Sequence, residues 1–217
     1  MDIKIQKAAD SFIINLTSIN TVEIREYVDE IRLNQKFHNS IEQNRDLFGR
    51  KQYSSWDFSI GSSLGMILYV ICRSQKPDII VETGVASGVS SSYILCALEQ
   101  NNHGQLYSID QPWWQDKQSG WIIPDYLRHR WHLIKGKSSA KLVPLLTNVG
   151  EIDIFLHDSE HTYKNMLWEF QTAWTYLKSG RLMLAHNIDT NDAFADFCRS
   201  RSIKGYLLNN MGGVVKA

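Results

Sequence analysis

The sequence predicts an α/β fold, a mostly parallel sheet with helices on both faces. Three observations carry this. From Asp78 onward, short apolar runs alternate with longer segments of helical periodicity. The last two runs, joined through Met211 and Gly212, lie too close for a helical crossover and imply an antiparallel hairpin at one edge. The length, 217 residues with 43% hydrophobic and 21% charged, suits one α/β domain with a real core.

Residues 1–50 read as an N-terminal helical extension. In "TVEIREYVDEIRLNQ", Val22, Ile24, Val28 and Ile31 recur near helical spacing. Such an extension packs on the core, covers a site or builds a homo-oligomer; the pattern leaves these open. Residues 51–217 form the main domain. In "IGSSLGMILYVICRSQ", Ile60, Leu64, Ile67 or Leu68, and Ile71 mark an amphipathic helix that Pro77 stops. Strand "DIIVETG" and helix "SGVSSSYILCALEQNN" follow, then strand "GQLYSID". A loop leads into a short helix at "PDYLRHR", where Arg128 and Arg130 make a solvated end. Strand "WHLIKG", helix "SSAKLVPLLTNV" and strand "IDIFLHD" come next. Helix "HTYKNMLWEFQTAWTYLKSG" turns Leu167, Phe170, Trp174 and Leu177 inward and stops at Gly180. Strand "RLMLAH", helix "NDAFADFCRSR" and the terminal pair "KGYLLNN" and "GGVVKA" complete the order.

Composition narrows the partners. The 23 basic residues balance the 23 acidic ones, so no net field recruits nucleic acid or anionic lipid. Cys72, Cys96 and Cys198 are odd in number without CxxC spacing, which reads as reduced thiols. The start "MDIKIQKAAD" has no signal-peptide core, and the run near "GMILYVIC" is too short to span a bilayer. The expectation is a soluble cytoplasmic protein with no membrane partner.

In "VETGVASGVS" a strand ends, the chain turns and a helix begins. Gly84 and Gly88 allow positive φ and close approach of backbone to a ligand. A helix starting near Ser87 offers free N–H groups. The spacing is E-x-G-x-x-x-G, so a plain turn and a nucleotide loop both remain open. Glu82, at the end of a buried strand, is costly unless it binds something. It would repel a pyrophosphate, so a cationic ligand such as the amino end of S-adenosylmethionine fits better. Asp110 ends the next strand, where a carboxylate accepts hydrogen bonds from ribose hydroxyls.

From about Phe48 to the C-terminus the chain resembles class I S-adenosylmethionine-dependent methyltransferases, and among them the bacterial branch labelled methyltransferase domain 24. The resemblance rests on "VETGVASGVSSSYILCALE", "GQLYSIDQP", "GWIIPDYLRHRW", "FLHDSEHTYKNMLWEFQTAW", "NDAFADF" and "GGVV". It implies a Rossmann-like seven-stranded sheet in the order 3-2-1-4-5-7-6 with the last strand antiparallel. The first and fourth strands would then flank the switch point where open α/β sheets bind ligands. It further implies S-adenosylmethionine held by Glu82, Gly84, Ala86, Ser87, Gly88, Ser90, Asp110, Ser138 and Asp158. Related proteins carry an acidic residue where this chain has Lys137, leaving Ser138 to contact adenine.

A second cluster follows the fourth and fifth strands. "LHDSEH" supplies Asp158, Glu160 and His161, and "AHNID" supplies His186, Asn187 and Asp189. The implied reaction is O-methylation of a small-molecule or sugar-containing metabolite. A hydroxyl acceptor must lose a proton, to a base or to a metal that lowers its pKa. His161 is the first choice of base, since imidazole titrates near neutrality, and Glu160 the second. Asp158 completes the catalytic set. His157, inside the strand end, reads as structural. Metal-dependent relatives place a D-D or D-N pair where this chain has His186-Asn187. Magnesium prefers hard oxygen ligands, whereas a softer divalent ion accepts Asp158, His186 and Asn187. The plainer reading is a hydrogen-bonded strand end. Trp113, Trp114 and Trp121 could cover adenine or line the acceptor pocket. The competing function is a non-catalytic binding or scaffold protein that kept the fold. Glu82 and the glycine spacing argue against a nicotinamide oxidoreductase.

Overall fold

The computed structural model describes residues 3–49, 58–111 and 119–217. The chain opens with three helices, α1 (Ile3–Thr17), α2 (Thr21–Leu33) and α3 (Gln35–Gly49), followed by α4 (Phe58–Gln75). Then come β1 (Ile79–Thr83), α5 (Val89–Asn101), β2 (Gln105–Asp110), a 3₁₀ turn (Asp125–Arg130) and β3 (Trp131–Lys135). The second half holds α6 (Ser138–Val149), β4 (Ile152–His157), α7 (Tyr163–Tyr176), β5 (Leu177–Ala185), α8 (Ala193–Ser200), β6 (Tyr206–Leu208) and β7 (Met211–Val215). Seven strands form one sheet in the order β3-β2-β1-β4-β5-β7-β6, as expected. The first five run parallel, and β7 is antiparallel to both β5 and β6.

Register aligns the site. Thr83 stands opposite Ile109 on one side and His157 on the other, and His157 stands opposite Ala185. The carboxyl ends of β2, β1, β4 and β5 therefore stop level, and the loops that follow them emerge side by side at the switch point.

The sheet is covered on both faces. One apolar cluster joins Phe12, Ile24, Ile31, Leu68, Ile71 and Leu95 to sheet residues such as Ile80 and Leu184. The other joins Leu142, Leu146, Phe170, Trp174 and Phe197 to Val81, Phe155 and Met183. Among the described residues no helix is long and apolar enough to cross a membrane.

Local chemistry explains the helix starts. Asn20 caps α2 with a capping box, its side chain accepting from Val22 and Glu23 N–H while Glu23 returns a bond to the Asn20 N–H. Ile24, Val28 and Ile31 turn inward as expected. Val22 does not; in the first turn beside its cap it is 64% exposed.

The α7–β5 junction differs from the sequence expectation. The helix ends at Tyr176, and Leu177 opens β5 rather than closing the helix. Leu177 is extended, pairs with Ile152 and is buried, so sheet pairing overrides helical periodicity there. Gly180 (φ 75°) is no helix stop; it lies within the strand and donates its N–H to the Lys216 carbonyl at 2.7 Å. Leu167 is half-buried, and Met166, Glu169 and Ala173 take the inward positions beside Phe170 and Trp174.

Candidate active site

The glycine loop follows β1. Gly84 adopts φ 86°, and a Cβ on it would lie 1.9 Å from the Asp158 carbonyl oxygen. The loop and the end of β4 therefore touch backbone to backbone. Gly84 donates its N–H to Ile109 O (2.8 Å), and Asp158 donates its N–H to Thr83 O (2.8 Å). Gly88 (φ 94°) is the N-cap of α5. A Cβ on it would lie 2.8 Å from both Gly120 Cα and an Ile123 side-chain carbon.

Residues 119–123 form a strap across this loop. Gly120 N–H donates to Ala86 O (2.9 Å) and Ile122 N–H to Ser87 O (3.0 Å). From outside, the Asn44 amide of α3 donates to Ile122 O and Ile123 O, both 3.2 Å. Arg128 donates to Gly120 O and Ile123 O at 2.9 and 3.1 Å. Arg130 bonds Glu99 and Asn102. These two arginines are braces, not the solvated end expected. Trp121 is half-buried in the strap, while Trp113 and Trp114 lie outside the described residues.

Glu82 is fully buried. Ser90, Ser91 and Ser108 donate hydroxyl protons to it at 2.7, 2.6 and 2.8 Å. The buried carboxylate thus finds partners in three serines. Burial raises its pKa to about 7, against the serine hydrogen bonds and with help from Asp158. Asp110 reaches the loop: Val85 N–H donates to Oδ1 at 3.1 Å, and the Ser119 hydroxyl donates to Oδ2. Ala86 is exposed with φ 49°, and Ser138 opens α6 with its hydroxyl 3.5 Å from Asn165 Oδ1.

Across the crevice, Asp158 lies between two imidazoles. His186 donates from Nδ1 to Asp158 Oδ1 at 2.9 Å, and His161 Nε2 lies 3.8 Å from the same oxygen. Burial opposes charge on His186, but its bond to Asp158 and the charges of Asp158 and Asp189 outweigh this and raise its pKa. For His161 burial dominates, His157 and His186 add to it, and the pKa falls despite Asp158. Glu160 does not join them. It is exposed, and its carboxylate accepts from Thr162 at 3.1 Å.

Both nitrogens of His186 are engaged. Nε2 faces the Asn210 amide nitrogen at 3.0 Å, and the same amide donates to Asn187 Oδ1 at 3.0 Å. Asn187 adopts φ 53° to make this turn. Asp158, His186 and Asn187 therefore hydrogen-bond within the protein rather than directing free lone pairs at one point. Among the described residues no group of three or more His, Cys, Asp and Glu is placed to hold a metal ion. This donor set does not fit a hard divalent cation.

Two contributors went unread in the sequence. Glu169 is fully buried and accepts from Thr83 Oγ1 (2.6 Å), His157 Nδ1 (2.6 Å), Ser159 Oγ (2.7 Å) and Asn165 Nδ2 (3.1 Å). An acidic residue in phase with Met166, Phe170 and Ala173 was the available signal. Asn210, in the β6–β7 turn, carried none.

A family model described as a methyltransferase domain matches residues 81–188. Comparison with curated proteins gives no match. Among solved structures, the chain is similar to an SAH-bound methyltransferase from Podospora anserina, with 16% identity, TM-score 0.59, and coverage of 85% of this chain and 89% of that one. It is also similar to an O-methyltransferase from Bacillus cereus in complex with SAH, with 15% identity, TM-score 0.57, and coverage of 94% and 100%. The O-methyltransferase TomG from Streptomyces achromogenes, involved in tomaymycin synthesis and in complex with SAM, aligns at 14% identity and TM-score 0.57 over 85% and 91%.

Proposed function

For a chain that belongs to the class I S-adenosylmethionine-dependent methyltransferases, we propose O-methylation of a small-molecule or sugar hydroxyl, with a protein base and no metal. The observation that carries this reading is the cluster of Asp158, His161 and His186 facing the Gly84 loop across the switch point. The similar structures from Bacillus cereus and Streptomyces achromogenes are of O-methyltransferases, which supports the hydroxyl as acceptor.

S-adenosylmethionine supplies a methyl group already activated on a sulfonium. The residues of this chain then orient and deprotonate. Asp110, already turned toward the loop, exchanges its Ser119 bond for ribose hydroxyls. Gly84, Ala86, Ser87, Gly88 and Ser90 present the backbone and hydroxyl rim of the loop, and Ser138 stands at the start of α6. Glu82 acts from behind by fixing Ser90 and Ser91. His161 Nε2 takes the acceptor's proton. Its lowered pKa keeps the ring neutral, and so basic, at neutral pH. Asp158 lies close enough to stabilise the imidazolium that forms.

Calorimetry on Asp110→Ala should show S-adenosylmethionine binding weakened roughly 10- to 100-fold, the scale of hydrogen bonds to a charged group. Unchanged affinity would remove Asp110 from the site. S-adenosylhomocysteine release across a panel of phenols, catechols and sugars tests the acceptor class. On the best acceptor, His161→Ala should lower turnover roughly a hundredfold or more with cofactor binding kept. Because the base pKa is lowered, the acidic limb of kcat/KM falls below about 6.5, the ordinary histidine value. No release from any hydroxyl would favour the non-catalytic binding protein.

A further inference from the structure

We propose that the buried pair Glu169–His157 positions His161: it holds the proton of the neutral His161 ring on Nδ1 and leaves Nε2 as the basic nitrogen beside Asp158. The catalytic use of this rests on the reading of His161 as base; the proton placement does not.

The argument starts at Glu169. It is fully buried and takes four donors, from Thr83, His157, Ser159 and Asn165. An ionised carboxylate only accepts, so His157 Nδ1 carries a hydrogen. Four donors converging on the two oxygens favour the ionised carboxylate despite its burial. A second proton on His157 would sit on Nε2, a buried atom with no acceptor among the described residues. Its desolvation would be uncompensated. This geometry fits the Nδ1–H tautomer of His157, with a lone pair on Nε2.

The two rings adjoin. His157 and His161 meet edge to face with centroids 5.4 Å apart and planes at 82°. Among the described residues, the buried side-chain nitrogens and oxygens without a partner are His157 Nε2 and His161 Nδ1. Two orphan polar atoms on neighbouring rings are costly separately and complementary together. If His161 held its proton on Nε2, both buried atoms would be lone pairs. With the proton on Nδ1, a donor meets an acceptor, through a small ring rotation or one bridging water. The polarity then runs Glu169, His157, His161, ending at a free Nε2 lone pair 3.8 Å from Asp158 Oδ1. The backbone of His161 is fixed as well, its carbonyl accepting from the Asn191 amide at 3.0 Å.

Long-range ¹H–¹⁵N correlation spectra of the full chain, labelled at histidine and recorded well above the ordinary histidine pKa of about 6.5, read each ring directly. The expected spectrum shows His161 and His157 both neutral with the proton on Nδ1. His161 found as the Nε2–H form, or His157 found as an imidazolium, overturns the proposal. In His157→Phe and in Glu169→Gln, His161 should shift toward the Nε2–H form that free histidine prefers. A Nδ1–H form that persists in either folded variant also overturns it. The wild-type spectrum decides the matter even if neither variant folds. Loss of turnover in His161→Ala tests the base itself, so the two readings fail separately.

Discussion

Single residues at this site are held by hard constraints. Gly84 combines positive φ with a wall: any Cβ meets the Asp158 carbonyl. Gly84→Ala adds a left-handed penalty of about 1–2 kcal/mol to a backbone clash that only moving β4 relieves. Urea unfolding should show a loss of more than about 2 kcal/mol, and wild-type stability would show that the loop gives way freely. Glu82 makes a second case. Its folded-state pKa of about 7 lies above the ordinary 4.5, so its contribution is full below 4.5 and lost as pH rises through 7. Relative to Glu82→Gln, the wild type should lose on the order of 3 kcal/mol across that window. A constant difference between the two proteins would refute the shifted carboxyl. Gly84, Asp110, Asp158, His161 and His186 were legible because each stands where an apolar run ends. The serines that satisfy Glu82 were visible only as small residues in a helix start, since pairing at residues 8, 9 and 26 positions away is tertiary information.

At the scale of elements, the strap over residues 119–123 depends on a helix from the other end of the chain. Asn44 of α3 holds the same peptides whose neighbours bond Ala86 and Ser87. Asn44→Ala should therefore speed hydrogen exchange at the Gly120 and Ile122 amides while leaving β1 amides protected. Equal exchange in both proteins would show that the strap holds itself. Strand positions and helix phases were legible because burial on both faces makes the parallel strands continuous apolar runs, whereas the strand order came from the family resemblance alone. The α7–β5 boundary was not, since Leu177 satisfies helical spacing and strand pairing alike, and the contact with Ile152 decides between them. Glu169 was lost for the related reason that an apolar-face count passes over an acid whose partners come from β1, β4 and the loop after β4.

At the scale of the whole molecule, the boundary drawn after residue 50 divides a shared core. Phe12, Ile13, Leu16, Ile24, Val28, Ile31 and Phe37 belong to the same buried cluster as α4, α5 and the sheet. Leu16 packs at Gly213, where a Cβ would lie 2.7 Å from its methyl carbon, so α1 uses the space that the glycine leaves on β7. Glu30 of α2 accepts from Tyr69 at 2.5 Å and is held by Arg73 at 2.8 Å. A small cavity lined by Ala9, Ile13, Ile24 and Val28 is closed from the other side by Met66, Ile67, Val70 and Leu208. Deleting α1 and α2, so that the chain starts at Gln35, uncovers those last four side chains. Val70 and Leu208 are buried and Met66 and Ile67 partly so; at roughly 1.5–3 kcal/mol for each fully buried side chain, the loss is a large part of a typical net stability of about 5–15 kcal/mol. It also removes Glu30, the carboxylate that Tyr69 and Arg73 share. The shortened chain should lose its cooperative thermal transition and bind a hydrophobic dye, with S-adenosylmethionine affinity lost as a consequence. A sharp transition near the full-length Tm, with affinity intact, would restore the extension to the status of a separable appendage.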